Sequence, residues 1–343
     1  MNKFRVAIDS DFVKADGTPA YPMFDLAPLH ANPSIEVVHV PLGKIASASA
    51  LEGFDALILL ANRFAPESVP ADGRLAIVAR FGVGYDTVDV PACTQAGIAL
   101  TITPDGVRRP VAVAILTLLF ALTGKLFDKD RLTRQGPAGY AQRNNYMGVG
   151  LIGRTLASVG IGNIGAELFR LAAPFGMRFI AHDPFAKPET ARELGIELVD
   201  LETVFREGDF VSVSCPLTPE THHLVNAERL ALMKPTAYLI NTARGPIVDQ
   251  AAITKALQEH RIAGAGLDVQ EQEPPDPDDP LLKLDNVILA PHALCWTDQC
   301  FAGIGASAVR SVLDVAAGHT PRGLVNRDVL ANTRWQGKTA AGS

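Results

Sequence analysis

Positive charge is in short supply in this chain, where 31 lysines and arginines face 37 aspartates and glutamates for a formal net charge of −6. No global field then draws it to nucleic acid or to an anionic membrane, and any anion it binds must be caught locally. Cysteine is scarce too. The four present, Cys93, Cys215, Cys295 and Cys300, show neither CxxC spacing nor a small secreted framework, and nearby histidines form no metal signature. Free thiols in a reducing cytosol and no bound metal are therefore expected. The opening "MNKFRVAIDS" enters a strand pattern with no apolar signal region, which predicts a cytoplasmic protein. The longest apolar run, "VAVAILTLLFAL" at residues 111–122, is shorter than the roughly 20 residues a membrane span needs. It reads as a buried helix.

What the chain does have is apolar material, 48% of 343 residues, enough for one large or two ordinary domains with sizeable cores. Short β-rich runs alternate with helical or turn segments over the first hundred residues: "RVAID", "IEVVHV", "ALILLAN", "LAIVAR" and "IALTIT". That alternation predicts parallel βα units. A break is expected at "TPDGVRRP", followed by the buried helix and a polar arm over residues 128–147. From Arg154 a second series reads as six strands, "TLASVGIG", "RFIAHD", "DFVSVSC", "AYLINTA", "AGAGLDV" and "NVILAPH", hence a second doubly wound sheet. A helix is expected over residues 301–317, and a loosely ordered tail from residue 331.

"VGIGNIG" places Gly160, Gly162 and Gly165 in GxGxxG register, with Asn163 and Ile164 between them, after an apolar strand and opening a helix. Glycine is required there because the chain must turn tightly, admit a pyrophosphate to its backbone and pack helix on strand. The helix N-terminus adds unpaired amides and a positive dipole end. The next strand ends at Asp183, 183 − 165 = 18 residues beyond the last glycine, near the spacing of about 20 for the acidic residue that binds ribose hydroxyls. A carboxylate there repels a 2′-phosphate. Only Lys187 and Arg192 follow, so NAD (NADH) is favoured over NADP.

Ligands collect beyond the carboxyl ends of strands in open parallel sheets. Three strands in succession deliver a polar group just past that end: Arg244 after "AYLINTA", Glu273 after "AGLDV" and His292 after "NVILAP". Each alone has a dull explanation as a structural ion pair or a loop residue. Together, beside a dinucleotide site, they suit hydride transfer at a 2-oxo or 2-hydroxy acid. A guanidinium fork holds a carboxylate and orients the neighbouring carbonyl. A protonated imidazole neutralises charge growing on the carbonyl oxygen, and a carboxylate on its other nitrogen orients the ring and favours its charged form.

The pieces "ARFGVGYDTVDV", "VGIGNIG", "CPLTPETHHLV", "MKPTAYLINTARGPIVD", "GLDVQEQEP" and "NVILAPH" together resemble the D-isomer specific 2-hydroxyacid dehydrogenase family, from about residue 56 to 326. The resemblance implies an α/β protein of two doubly wound parallel-sheet domains, with a Rossmann NAD domain inserted into a flavodoxin-like substrate domain. The expected bounds are 1–104 and 295–330 for the substrate domain, 105–294 for the NAD domain with its dimerisation helix and arm, and 331–343 for the tail. It assigns Arg244, Glu273 and His292 as the catalytic set, and gives the substrate carboxylate the backbone amides of Gly82, Val83 and Gly84. It lines the cofactor with Cys215, Pro216 and Leu217, with Thr242 and Ala243, and with Asp268 near the carboxamide. It further implies a cleft closed by hinges near Pro104 and Cys295, and a homodimer.

Some positions depart from the family pattern. Val113 and Ala114 stand where an acidic residue and a histidine are frequent, and Pro110 where a small hydroxyl residue is common. Arg108 and Arg109 are either solvated charges or selectors of a second anionic group, and Trp296 is either a pocket wall or core. The expected activity is an NAD-dependent interconversion of a small 2-oxo acid and its D-2-hydroxy acid. A formate- or phosphite-type dehydrogenase and an NAD-sensing corepressor-like protein are the alternatives on the same scaffold.

Overall fold

The computed structural model describes residues 3–340. By internal contact the chain divides into two compact units: residues up to Val107 together with those from Trp296 onward, and Arg108–Cys295.

In the first unit, strands β1 (Phe4–Asp9), β2 (Ile35–Val40), β3 (Ala56–Leu59), β4 (Ile77–Arg80) and β5 (Ala99–Thr101) form an all-parallel sheet in the order β2-β1-β3-β4-β5. That is the flavodoxin-like winding, whose chain reverses direction beside β1. Strands β3 and β5 are buried throughout, as parallel strands covered by helices on both faces must be. Residues 104–110, the expected break, are helical instead, within helix Pro104–Thr123. Its first turns approach helix Asp298–Ala316 backbone to backbone, and a Cβ on Gly106 would lie 2.3 Å from the Ile304 amide nitrogen. Pro110 sits inside this helix and removes one N–H from its ladder. A proline followed by charged and glycine residues looked like a turn because that backbone approach is invisible in sequence.

The tail expected to be loose forms helix Thr333–Ala340, with Trp335 buried at 6% exposure; residues 341–343 lie outside the described residues. Lys338 fastens it by donating to the carbonyls of Leu75, Ala96 and Gly97 at 2.7, 2.8 and 2.9 Å. Burial draws this ammonium down to about 8.

In the second unit, β6 (Thr155–Val159), β7 (Arg178–His182), β8 (Ile196–Leu198), β9 (Phe210–Val213), β10 (Tyr238–Asn241), β11 (Gly264–Leu267) and β12 (Val287–Leu289) pair in parallel as β12-β11-β10-β9-β6-β7-β8. There are seven strands, not the expected six. The extra one, β8, is a three-residue edge strand, "IEL", with two of its residues exposed, too short and too polar to announce itself. Alternate residues serve opposite faces: Val211, Leu239 and Ala265 join one core, Phe210, Tyr238 and Ile240 the other. The glycines of β11 answer to close packing, since a Cβ on Gly266 would stand 3.0 Å from the Leu118 Cβ. Helix Pro104–Thr123 is long and apolar enough to cross a membrane by length and composition, and 61% of its apolar window is buried within the fold. The expected polar arm holds two short helices, Leu126–Arg134 and Pro137–Ala141.

Candidate active site

Strand order reverses between β6 and β9, and the glycine loop leaves β6 at that point. Its three glycines have three separate reasons. Gly160 has φ +98°, and a Cβ there would lie 2.7 Å from the Ser214 carbonyl oxygen, against the turn that leads to Cys215 and Pro216. Gly165 brings the following helix onto the loop, with a Cβ position 2.5 Å from the Gly160 carbonyl. Gly162 is different, because beyond its own chain neighbours no atom of the described residues stands within 4 Å of where its Cβ would be. Nothing in the fold demands glycine there, whereas a ligand seated on the backbone does. Gly162 also caps helix Asn163–Ala172 without a side-chain hydrogen bond, so Asn163, Ile164 and Gly165 belong to an uncapped positive helix end. These residues fit the pyrophosphate of a nicotinamide dinucleotide.

Asp183, just past β7, accepts from the Ile161 amide at 2.9 Å and from the Phe185 amide at 2.8 Å, which ties the acidic residue to the glycine loop. Burial, with the nearby Asp183 charge adding to it, pushes the Cys215 thiol up to about 11. A thiol kept protonated in this way is inert rather than nucleophilic. Valine at Gly162 should leave the melting temperature unchanged and weaken NADH binding by about ten-fold or more, or ~1.4 kcal/mol. Fluorescence titration checks this, and unchanged affinity would detach the loop from the cofactor.

The polar groups beyond β10, β11 and β12 interlock. Arg244 follows β10 in a turn clamped by Asn241, whose side chain accepts from the Ala243 amide at 3.0 Å and donates to the Arg244 carbonyl at 2.9 Å. Asn241 is 1% exposed; sequence reading passed over it, although an amide at the end of a buried strand is the available signal. At Gly245 a Cβ would fall 1.8 Å from the Gln270 carbonyl, so glycine lets this turn press on the loop after β11. In that loop the Gln270 amide donates to Glu273 Oε1 at 3.0 Å, and the Gln270 side chain reaches the Ala290 carbonyl at the end of β12 at 3.3 Å.

His292 has a left-handed backbone, φ +56°, held where its amide donates to the Asp268 carbonyl at 2.7 Å. Its Nδ1 meets Glu273 Oε2 at 2.8 Å. Nδ1 being engaged, Nε2 is the nitrogen left to carry a transferable proton. Burial alone would raise the Glu273 carboxyl, but the hydrogen bonds from His292 and the Gln270 amide, with the charges of His292 and Arg244, outweigh it and hold the group below the usual carboxylate range. The structure thus brings Arg244, Glu273 and His292 to one edge of one sheet. Asp268 is 3% exposed, and its carboxylate accepts from the amides of Ala293 and Leu294 at 3.0 and 3.1 Å. Burial raises this carboxyl. What it visibly does is fix the turn that carries His292, a role the resemblance did not suggest.

Elsewhere the expectations need adjustment. In the loop after β4, Gly82 (φ +128°) gives its amide to Thr103 Oγ1 at 2.9 Å, so it is already engaged; the amides of Val83 and Gly84 meet no acceptor among the described residues. Arg109 is largely exposed and pairs with the buried Glu167 at 3.2 Å. Val113 is exposed and Ala114 buried. Trp296 is half-exposed and packs edge-on to Tyr21 and Phe301, at 5.9 and 5.4 Å between ring centres.

A switch-point glycine loop, an acidic residue after the second strand and an Arg/Glu/His edge define a nicotinamide dinucleotide oxidoreductase. Comparison carries this further. Residues 116–293 match the model of the D-isomer specific 2-hydroxyacid dehydrogenase NAD binding domain. The chain is 42% identical over 292 residues to a glyoxylate reductase of Korarchaeum cryptofilum, covering 84% of this chain and 88% of that one. Among solved structures it is similar to an NADPH-dependent glyoxylate/hydroxypyruvate reductase from Sinorhizobium meliloti in complex with NADP and malonate (TM-score 0.81, 28% identity, 96% and 98% of the two chains). It is also similar to apo D-lactate dehydrogenase from Escherichia coli (TM-score 0.76, 26% identity, 94% and 99%). The chain belongs to the D-isomer specific 2-hydroxyacid dehydrogenase family, and its activity is the reversible reduction of a 2-oxo acid.

Proposed function

We propose that the chain reduces a small 2-oxo acid, glyoxylate or hydroxypyruvate first among them, with Arg244, Glu273 and His292 as its catalytic set and NADH as its cofactor. The observation that carries the reading is the Glu273 Oε2 to His292 Nδ1 contact of 2.8 Å, on the sheet edge that also carries Arg244. The bound nicotinamide supplies the hydride to the carbonyl carbon. Arg244 holds the carboxylate and so fixes which carbonyl face is presented. His292 Nε2 gives a proton to the carbonyl oxygen as charge grows there. Glu273 keeps the ring oriented. In the loop after β4, the free amides of Val83 and Gly84 are suited to a carboxylate oxygen, with Gly82 supplying the left-handed turn that exposes them.

The cofactor role extends to Cys215, Pro216, Thr242, Ala243 and Asp268. NADH is preferred over NADPH because Asp183 places a carboxylate where a 2′-phosphate would lie, though the Sinorhizobium meliloti relative is NADPH-dependent. The exposed apolar residues Leu126, Phe127, Tyr140, Met147 and Ile152 of the second unit support a homodimer formed through it, and a cytoplasmic location goes with the scarcity of cysteine. The test is loss of NADH absorbance against glyoxylate, hydroxypyruvate and branched, aromatic and dicarboxylic 2-oxo acids, repeated with NADPH. Turnover of the small acids and at least about a ten-fold NADH preference, or ~1.4 kcal/mol, is expected. Equal use of both cofactors would remove Asp183 from the selective role, and silence on every 2-oxo acid would overturn the substrate assignment.

A further inference from the structure

We infer that His222, His223 and Glu271 form a surface site for one borderline divalent cation of the zinc and nickel kind. Each of the three offers one ligand atom, and these atoms lie within 4.8 Å of one another. His223 Nε2 stands 2.8 Å from Glu271 Oε1, and the two imidazoles stack at 4.0 Å between centres, 25° from parallel. The short sequence spacings that mark a metal site are absent because Glu271 comes from a different loop, 48 residues away.

The surroundings hold the donors in place. The Glu271 amide donates to Gln250 Oε1 at 2.8 Å, and Glu271 Oε2 accepts from the Gln250 amide at 3.1 Å. The carboxylate is therefore fixed against the start of helix Gln250–Gln258, with Oε1 turned to His223. On the other side the His223 amide donates to the Pro246 carbonyl at 2.9 Å, and its backbone is held at φ +50°, a conformation disfavoured for most side chains. Zinc bonds of about 2.0–2.2 Å to nitrogen and oxygen put tetrahedral neighbours some 3.3–3.5 Å apart. The His223–Glu271 pair opens only slightly to reach this, and the exposed His222 swings inward to complete three ligands. Two imidazoles and one carboxylate are the donor set of open zinc sites, with water fourth. Calcium and magnesium, which require oxygen cages, do not match it.

None of these residues belongs to the catalytic set, yet all three segments do touch its supports. Glu271 lies two residues before Glu273, and Pro246 two after Arg244. A bound cation clamps the chain after β9 to the chain after β11, and through the His223 to Pro246 hydrogen bond it acts as a clip on the loops that present both catalytic charges.

Isothermal titration of the reduced full chain with Zn²⁺, followed by Co²⁺ absorption, tests the site. One Zn²⁺ per chain is expected, with affinity falling at least about ten-fold in both His222→Ala and Glu271→Gln and no thiolate charge-transfer band with Co²⁺. His222 and Glu271 are surface residues, so melting temperature serves as the check on folding. Zinc affinity unchanged in both variants, a thiolate band, or no saturable binding by the wild type would each overturn the assignment.

Discussion

Asparagine at position 292 is expected to cut kcat for 2-oxo acid reduction by about a thousand-fold, within the roughly 10²–10⁴ that a positioned general acid contributes, while NADH affinity stays within about two-fold. Asparagine suits the test because it tolerates the left-handed backbone that His292 adopts at φ +56°, so the turn held by Asp268 survives and only the acid is lost. Glu273→Gln separates proton supply from placement. The His292 contact and charge help hold the Glu273 carboxyl below its ordinary range, so the group that grips Nδ1 at neutral pH is a carboxylate. Without that charge the ring loses its orienting partner, and kcat for reduction should fall by about ten-fold or more, or ~1.4 kcal/mol. The sign for stability is separate: a depressed carboxyl contributes above its unfolded value of about 4.3, and the contribution is lost as pH falls through the folded value. Rate profiles and melting curves across pH check both. A His292→Asn enzyme keeping more than about a tenth of wild-type kcat would remove the acid role, and an unchanged kcat in Glu273→Gln would remove Glu273 from its support.

Much of this site was legible because buried parallel strands write themselves as near-continuous apolar runs, and the first polar residue after each run is where ligands gather. Arg244, Glu273 and His292 stand out for that reason, and Asp183 for its distance from Gly165. What sequence did not disclose depends on contact between distant segments. Asn241 reads as the last letter of a strand until its two hydrogen bonds around Arg244 are seen. Asp268 reads as a residue near the carboxamide, and its hold on the His292 turn shows only when the amides of Ala293 and Leu294 arrive from 25 and 26 residues away. Gly82 reads as an anion-binding amide, but Thr103 claims that donor from 21 residues away. The strand β8 and the C-terminal helix were lost for the opposite reason, since one carries only "IEL" and the other is polar except for the buried Trp335.

Alanine at position 244 is expected to lower kcat/KM for the 2-oxo acid by about 10²–10³, which falls within the roughly 2–5 kcal/mol for removing one partner of a desolvated charge pair. The size follows from how firmly the guanidinium is placed. Its turn is closed by Asn241, its Nη1 donates to the Ala243 carbonyl at 2.7 Å, and Gly245 seats the segment on Gln270 at a distance no side chain would permit. A group fixed in this way loses little entropy when a carboxylate arrives, and its planar fork sets the angle of the adjoining carbonyl. Arg244→Lys is the sharper experiment, because lysine keeps the charge and removes the fork. If charge alone holds the substrate, lysine restores most of kcat/KM; if orientation matters, it stays within about ten-fold of alanine. The second result is expected, with the loss shared between kcat and KM because a carboxylate bound at the wrong angle presents its carbonyl poorly to both hydride and His292. Guanidinium ion added to the alanine variant should recover part of the lost rate. Lysine retaining more than a third of wild-type kcat/KM would show that Arg244 acts as a point charge and that the clamp around it serves the fold alone.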